Sequence, residues 1–225
     1  MSKRSPIVLL LVLCLGAVSA FAQEQGMTDK EKLSYTVGVQ LGKTLLRQSM
    51  DIDHPALMQG ISDALAQKGL KLTDQQMRDV LIKYRDAQEA KQKVTAAENK
   101  KKGEDFLAKN KTRKGVVVLP SGLQYEVLRK GKGKKPSLDD SITVNYEGTL
   151  IDGTVFDSSY KRGQPVTLKL NQVIKGWQIA VPKMSVGAKW KLYVPADLAY
   201  GDKSPSPVIG PNSTLIFQVE LLSIN

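Results

Sequence analysis

One cysteine and one histidine are all that this 225-residue chain carries of those two residue types. Cys14 lies in an apolar leader, so the chain beyond it has no disulfide to form and no thiolate to serve as nucleophile or metal ligand. With His54 as the only imidazole, a zinc site or a Ser/His/Asp triad lacks its components, and neither metal nor cofactor is expected. His54 stands in Asp53-His54-Pro55, where an Asp N-cap and an early Pro mark a helix start and put the imidazole on the surface. Long apolar runs are missing too. The run Ile7 to Val18 is shorter than the ~20 residues a spanning helix needs. It follows basic Lys3 and Arg4 and precedes Ala20-Phe21-Ala22, the pattern of a cleavable secretory signal over residues 1–22, cut before Gln23. Bulky Leu13 ahead of Cys14 argues against a lipid anchor there.

What remains is 41% hydrophobic overall and basic, with a formal net charge of +11, an ordinary balance for a folded domain or two. Residues 23–72 read as a small helical module. Thr28 and Asp29 open a stripe at Leu33, Val37, Leu41 and Leu45, and a second helix from about Pro55 to Gln67 has Leu57, Ile61, Ala64 and Leu65 on its inner side. Gly38 and Gly42 share another face of the first helix. Glycine costs roughly 1 kcal/mol relative to Ala in a helix interior, so the pair suggests close approach by another helix. That helix is either the next one in the chain or the same one in a second copy. Two short helices make a poor core alone, which makes burial against a second copy through residues 27–67 physically attractive.

Residues 73–114 read as one long helix. Thr73 with Gln76 forms a capping box, and no Pro or Gly interrupts the chain until Gly103. Met77, Val80, Leu81, Tyr84 and Ala87 keep an apolar stripe that then thins, so the distal part reads as a solvated strut linking two domains. Residues 83–114 hold eleven Lys/Arg against five acids. Clustered basic residues can bind phosphates, but no aromatic platform or base-reading motif accompanies these, and an exported protein does not meet nucleic acid. Peripheral attraction to an anionic envelope surface is compatible with the charge.

Residues 115–225 change to short β runs separated by Gly, Pro and Asp. Strands are expected at Val116–Leu119, Leu123–Arg129, Ile142–Leu150, Val166–Leu170, Lys189–Val194 and Thr214–Leu222, with Asp152-Gly153 as a hairpin turn. Trp190, Leu192 and Val194 alternate with Lys189, Lys191 and Tyr193, which predicts an antiparallel sheet with one face buried and the other wet. The only helix expected here is short, from Gly176 to about Met184. Ahead of it, Val173-Ile174-Lys175-Gly176-Trp177 can turn from extended chain into helix, with the Ile174 N–H left free beside an apolar floor. Such a donor suits a ligand that is itself mostly backbone.

Asn145-Tyr146-Glu147-Gly148, Thr154-Val155-Phe156-Asp157-Ser158-Ser159, Val173 to Trp177, Met184-Ser185-Val186-Gly187, Leu198-Ala199-Tyr200-Gly201 and Thr214 to Leu222 follow one another in this order. This series resembles the FKBP family of macrolide-binding peptidyl-prolyl isomerases over residues 116–225. With the helices in front, the whole chain is similar to the macrophage infectivity potentiator type of bacterial FKBP. The resemblance implies an α+β protein: an N-terminal all-α dimerisation module, a long linking helix, and a C-terminal antiparallel sheet wrapped around a short helix. It implies a substrate pocket of Tyr146, Phe156, Val166, Val173, Ile174, Trp177, Tyr200, Ile209 and Phe217. Trp177 would be the floor, and Asp157, the Tyr200 hydroxyl and the Ile174 N–H the polar catalytic groups. Proline-containing polypeptides, macrolides such as rapamycin, and a second copy of the chain would be the partners, in a periplasmic or outer-membrane-associated setting. Two positions depart from the pattern: Val166 stands where an aromatic often sits, and Pro205 stands near a frequent His. Asp157 is compatible with a second role, a structural carboxylate bonded to neighbouring hydroxyls. A dimeric holding chaperone and a surface binder of proline-rich protein are the competing functions.

Overall fold

The computed structural model describes residues 26–48, 50–67 and 69–225, and the signal expected over residues 1–22 lies outside them. Two compact units divide between Met50 and Asp51.

The first unit contains helix α1, Asp29–Arg47. Its N-terminus is closed reciprocally: the Glu31 N–H donates to Thr28 Oγ1 and the Thr28 N–H donates to the Glu31 carboxylate at 2.7 Å. None of its residues is buried, and Leu33, Val37 and Leu41 of the expected stripe are exposed.

In the second unit, α2 spans His54–Leu65, with the Asp53 carboxylate accepting from the Ala56 N–H at 2.8 Å. It stops short of Gln67, which has a positive φ of 52°. Leu57 and Ile61 are half-buried, whereas Ala64 is exposed and Leu65 is 82% exposed. Helix α3 runs Asp74–Asn110 and opens on the Thr73/Gln76 capping box. Its 37 residues make it about 55 Å long. Along its first half Met77 and Tyr84 are half-buried, while Val80, Leu81 and Ala87 lie open. Among the described residues no helix is long and apolar enough to cross a membrane.

Strands β1 (Val116–Val118), β2 (Gln124–Arg129), β3 (Ser141–Leu150), β4 (Val155–Ser158), β5 (Val166–Lys169), β6 (Lys189–Val194) and β7 (Leu215–Ile224) form one antiparallel sheet. Its order is β1-β2-β6-β7-β3-β4, with β5 also paired to β3. The long strands β3 and β7 form its centre, paired from Ile142 opposite Ile224 to Leu150 opposite Leu215 with a register shift between Thr143 and Val144. Helix α4, Lys175–Ala180, and the 3-10 turn Val181–Lys183 that extends it sit against the inner face. Trp177, Ala180 and Val181 join Ile142, Val144, Leu192, Val194, Phe217, Val219 and Leu221 in one core.

The distal half of α3 is not a free strut, and the outer face of the sheet is not wet where that half lies. Thr95, Ala96, Asn99, Gly103, Phe106, Leu107 and Asn110 recur at helical spacing and are the half-buried or buried positions of residues 91–110. Asn110 Nδ2 donates to Gln124 Oε1 at 2.8 Å, and Gln124 Nε2 donates to the Leu107 carbonyl at 2.9 Å. The Phe106 and Tyr193 rings lie 6.0 Å apart, and Arg113 donates to the Tyr193 hydroxyl at 2.9 Å. Tyr193, expected on the wet face, is consequently only 1% exposed.

Candidate active site

Between β3, β4, α4 and the loop that follows Tyr200 opens a cavity of about 440 Å³. Its walls follow from strand alternation and one glycine. Gly148 on β3 stands opposite Phe217 on β7 and Asp157 on β4. A Cβ at Gly148 would lie 2.6 Å from the Phe156 ring and 3.0 Å from the Phe217 ring, so only glycine lets both rings close in. Trp177 is the floor at 3% exposure. The Tyr146 and Phe217 rings each stand 5.4 Å from it at 88° and 86°, and Phe156 meets Phe217 at 5.6 Å and 83°. These edge-to-face contacts suit the aromatic quadrupoles and fix the rings as a rigid cup.

Of the pocket residues expected from the sequence, Tyr146, Phe156, Val173, Ile174, Trp177, Tyr200, Ile209 and Phe217 line this cavity, together with Asp157. Val166 does not. It pairs with Val144 at the end of β5, and the wall position is taken by Leu168, two residues on and on the same side of the strand. Gln172, Pro205 and Ser206 complete the lining. Gln178 ties the approach to α4 by donating to the Val173 carbonyl at 2.7 Å. Ile174 is the N-cap of α4, and its carbonyl accepts from the Trp177 and Gln178 N–H groups. Its own N–H has no acceptor among the described residues.

The polar side is a cluster that the sequence disclosed only in part. The Tyr146 hydroxyl donates to Asp157 Oδ2, and Arg162 donates to Asp157 Oδ1 and, at 3.1 Å, to the Tyr146 oxygen. The Arg162 guanidinium also lies 5.6 Å from the centre of the Tyr146 ring. No motif flags Arg162; only its place five residues after Asp157, beyond the turn that ends β4, brings it back. Burial works to raise the Asp157 carboxyl, but the hydrogen bonds from Tyr146 and Arg162 and the arginine charge outweigh it and hold the group below its ordinary value. Burial, followed by the bond to Asp157, pushes the Tyr146 phenol up. With both carboxylate oxygens engaged, Asp157 is a fixed negative charge at the cavity wall rather than a free base.

An antiparallel sheet wrapped on a short helix, with an aromatic cup beside an unpaired amide, is the framework of a prolyl cis-trans isomerase. Residues 132–222 match the family of FKBP-type peptidyl-prolyl cis-trans isomerases, and residues 30–127 match the domain amino-terminal to it. The chain is 49% identical over 201 residues to outer membrane protein MIP of Legionella longbeachae, covering 88% of this chain and 86% of that protein. It is 46% identical over 226 aligned positions to peptidyl-prolyl cis-trans isomerase Mip of Coxiella burnetii, covering 99% and 98%. The crystal structure of FkpA from Escherichia coli superposes with a TM-score of 0.63 at 38% identity, covering 88% of this chain and 97% of that one. The chain belongs to the FKBP-type peptidyl-prolyl cis-trans isomerases.

Proposed function

We propose that the aromatic cup around Trp177 is where isomerisation takes place and that it works on prolines of exported polypeptides. A peptide amide resists rotation by ~18–20 kcal/mol because of its charge-separated resonance form, which water stabilises. An X-Pro bond keeps its two isomers close in energy but exchanges them slowly. Tyr146, Phe156, Trp177 and Phe217 replace water around the imide, which favours the twisted, less polar bond. The unpaired Ile174 N–H donates to a substrate carbonyl. The Asp157 charge and the Tyr200 hydroxyl act on the rotating group from the rim. Lowering the barrier by about 4 kcal/mol gives about a thousandfold, without nucleophile or metal. The observation that carries this reading is the set of three near-perpendicular ring contacts lining an open cavity beside that amide. The test is a coupled isomerisation assay on a proline peptide with and without rapamycin. Inhibition together with tighter protease protection of the loop 200–211 is expected; full activity under saturating rapamycin would sink it.

Residues 23–72 are proposed to join two copies, with residues 73–114 linking each to its isomerase domain of residues 115–225. In support, Leu33, Val37 and Leu41 of α1 are not covered by the described residues of their own unit. Bare apolar stripes of this kind mark association surfaces. Mass measurement of the full chain, against Gly38→Glu and Gly42→Glu, checks this. Residues 1–22 are proposed to export the chain to the envelope. The uncovered apolar residues of α1 to α3 favour a second reading, a holding chaperone. Aggregation suppression that survives saturating rapamycin would support it, and its loss would count against it.

A further inference from the structure

The wall of the cup made by Pro205, Ser206 and Ile209 belongs to a loop that has no strand pairing of its own between Tyr200 and Leu215. Pro205, Pro207 and Pro211 remove three N–H donors from it. Inside the loop, Ser204 Oγ donates to the Ile209 carbonyl at 2.7 Å, and the Ile209 N–H donates to Ser206 Oγ at 3.3 Å. At its base the Asn212 N–H donates to the Gly201 carbonyl at 2.7 Å. These bonds give the loop a shape, but they join it only to itself and so do not hold it over the cavity.

Besides the burial of Ile209 in the core and the bond from the Gly201 N–H to the Ala196 carbonyl, the loop is anchored to the rest of the domain by the long helix. Asn99 Nδ2 donates to the Pro211 carbonyl at 2.9 Å, and Asn212 Nδ2 reaches the Ala96 carbonyl at 3.4 Å. Gly210 lies so close that a Cβ there would be 2.9 Å from Asn99 Nδ2 and 3.7 Å from Thr95 Cγ2. Ile209, the next residue back, is 5% exposed and faces the cavity. A continuous run of contacts therefore leads from Asn99 through Pro211 and Gly210 to the cavity wall.

We propose that Asn99 is a positioning residue for substrate binding: by fixing Pro211 against α3 it sets where Ser206 and Ile209 stand over the cup, which makes the linking helix part of the pocket's support. The inference rests on the cup being the isomerase site. Tyr146, Asp157, Ile174 and Trp177 come from β3, β4 and the start of α4, and Tyr200 stands at the loop's base, where the Gly201 N–H donates to the Ala196 carbonyl at 2.9 Å independently of α3, so the groups that act on the imide stay in place when the anchor is cut. Losing the anchor should weaken ground state and transition state together, which raises KM and leaves kcat alone.

The test uses the full chain with Asn99→Asp, which keeps the side-chain shape but replaces the donor with a carboxylate facing a carbonyl, and Gly210→Ala, which pushes on Asn99 from the other side. A threefold to tenfold rise in KM for a proline peptide is expected in both, with kcat within about twofold, the range one lost hydrogen bond supports. Amide hydrogen exchange at Ile209 should quicken while the urea midpoint stays near the parent's. Unchanged KM and unchanged Ile209 exchange in both variants would overturn the proposal, and so would a lowered urea midpoint with KM unmoved. The parent assayed with saturating rapamycin, run alongside, separates the two levels. If rapamycin abolishes activity while the Asn99 and Gly210 variants do nothing, only the positioning role fails; if rapamycin too does nothing, the site reading fails.

Discussion

Gly103 meets Thr214 side by side: a Cβ on Gly103 would sit 2.3 Å from Thr214 Oγ1 and 3.2 Å from its Cβ. Thr214, the residue before β7, is 5% exposed, so it has no room to withdraw. Two effects of Gly103→Ala then oppose each other. An isolated helix gains about 1 kcal/mol from the change, whereas overpacking a close contact costs about 1–3 kcal/mol. The contact wins because the neighbour is a short, buried side chain. The urea midpoint should fall, with unfolding free energy lower by about 1–2 kcal/mol. A rise of the size expected for a free helix would show that α3 is not seated on the sheet.

The Tyr146, Asp157 and Arg162 cluster predicts an ordered series. Asp157→Leu removes the charge and strands two donors, and should lower kcat/KM about tenfold, equal to about 1.4 kcal/mol of barrier. Tyr146→Phe keeps the ring against Trp177 but takes one donor from Asp157, and should cost about threefold, within the worth of one hydrogen bond. The coupled proline-peptide assay measures both. Equal rates across parent and variants would leave the cluster a purely structural role.

How much of this was legible beforehand depends on what kind of pattern each part uses. Strands with alternating apolar residues, such as Leu215, Phe217, Val219 and Leu221, declare themselves, and so do the capping boxes at Thr28 and Thr73. Most of the cup was found because its motifs lie in a fixed order along the chain. Val166 failed because alternation gives the side of a strand and not which of two same-side residues reaches the cavity; Leu168 does. The seat of α3 was missed for a different reason. Its stripe is mostly Thr95, Ala96, Asn99, Gly103 and Asn110, with Phe106 and Leu107 the only large apolar residues in it, so hydrophobic periodicity passes over it, and its partners Gln124 and Thr214 lie 14 and 111 residues further on, from Asn110 and Gly103 respectively. Tyr193 was put on the wrong side of the water boundary by that same omission.

The pH dependence follows from opposite shifts in two bonded groups. Asp157 lies below its ordinary 3.8 when folded, so its contribution is complete above that value and disappears as pH falls through the folded value. Tyr146 lies above its ordinary 10.0, so its contribution is complete below that value and disappears as pH rises through the folded one. Stability from this pair should be level between about pH 5 and pH 9 and decline on both sides. Urea titrations of the parent and Asp157→Asn check the acid side: the difference between them should shrink as pH drops below 3.8. A difference that stays constant down to acid unfolding would contradict the depressed carboxyl.

Gly148 gives the most direct test of the cup's geometry. The atoms that an added methyl would strike belong to the Phe156 and Phe217 rings, which are held edge-to-face and cannot bend away as a flexible chain end would. Gly148→Ala therefore displaces two walls at once, and Phe217 carries the movement to Trp177, 5.4 Å away. Overpacking of this order costs about 1–3 kcal/mol, which leaves a folded domain with a misshapen pocket. The chain has two tryptophans, so a Trp190→Phe background leaves Trp177 as the single reporter. In that background Gly148→Ala should shift the Trp177 emission, weaken rapamycin binding and lower kcat/KM by tenfold or more. Emission and activity both unchanged would mean that the rings do not form the cup, because no arrangement that keeps both phenyl rings in contact with Gly148 has space for the methyl.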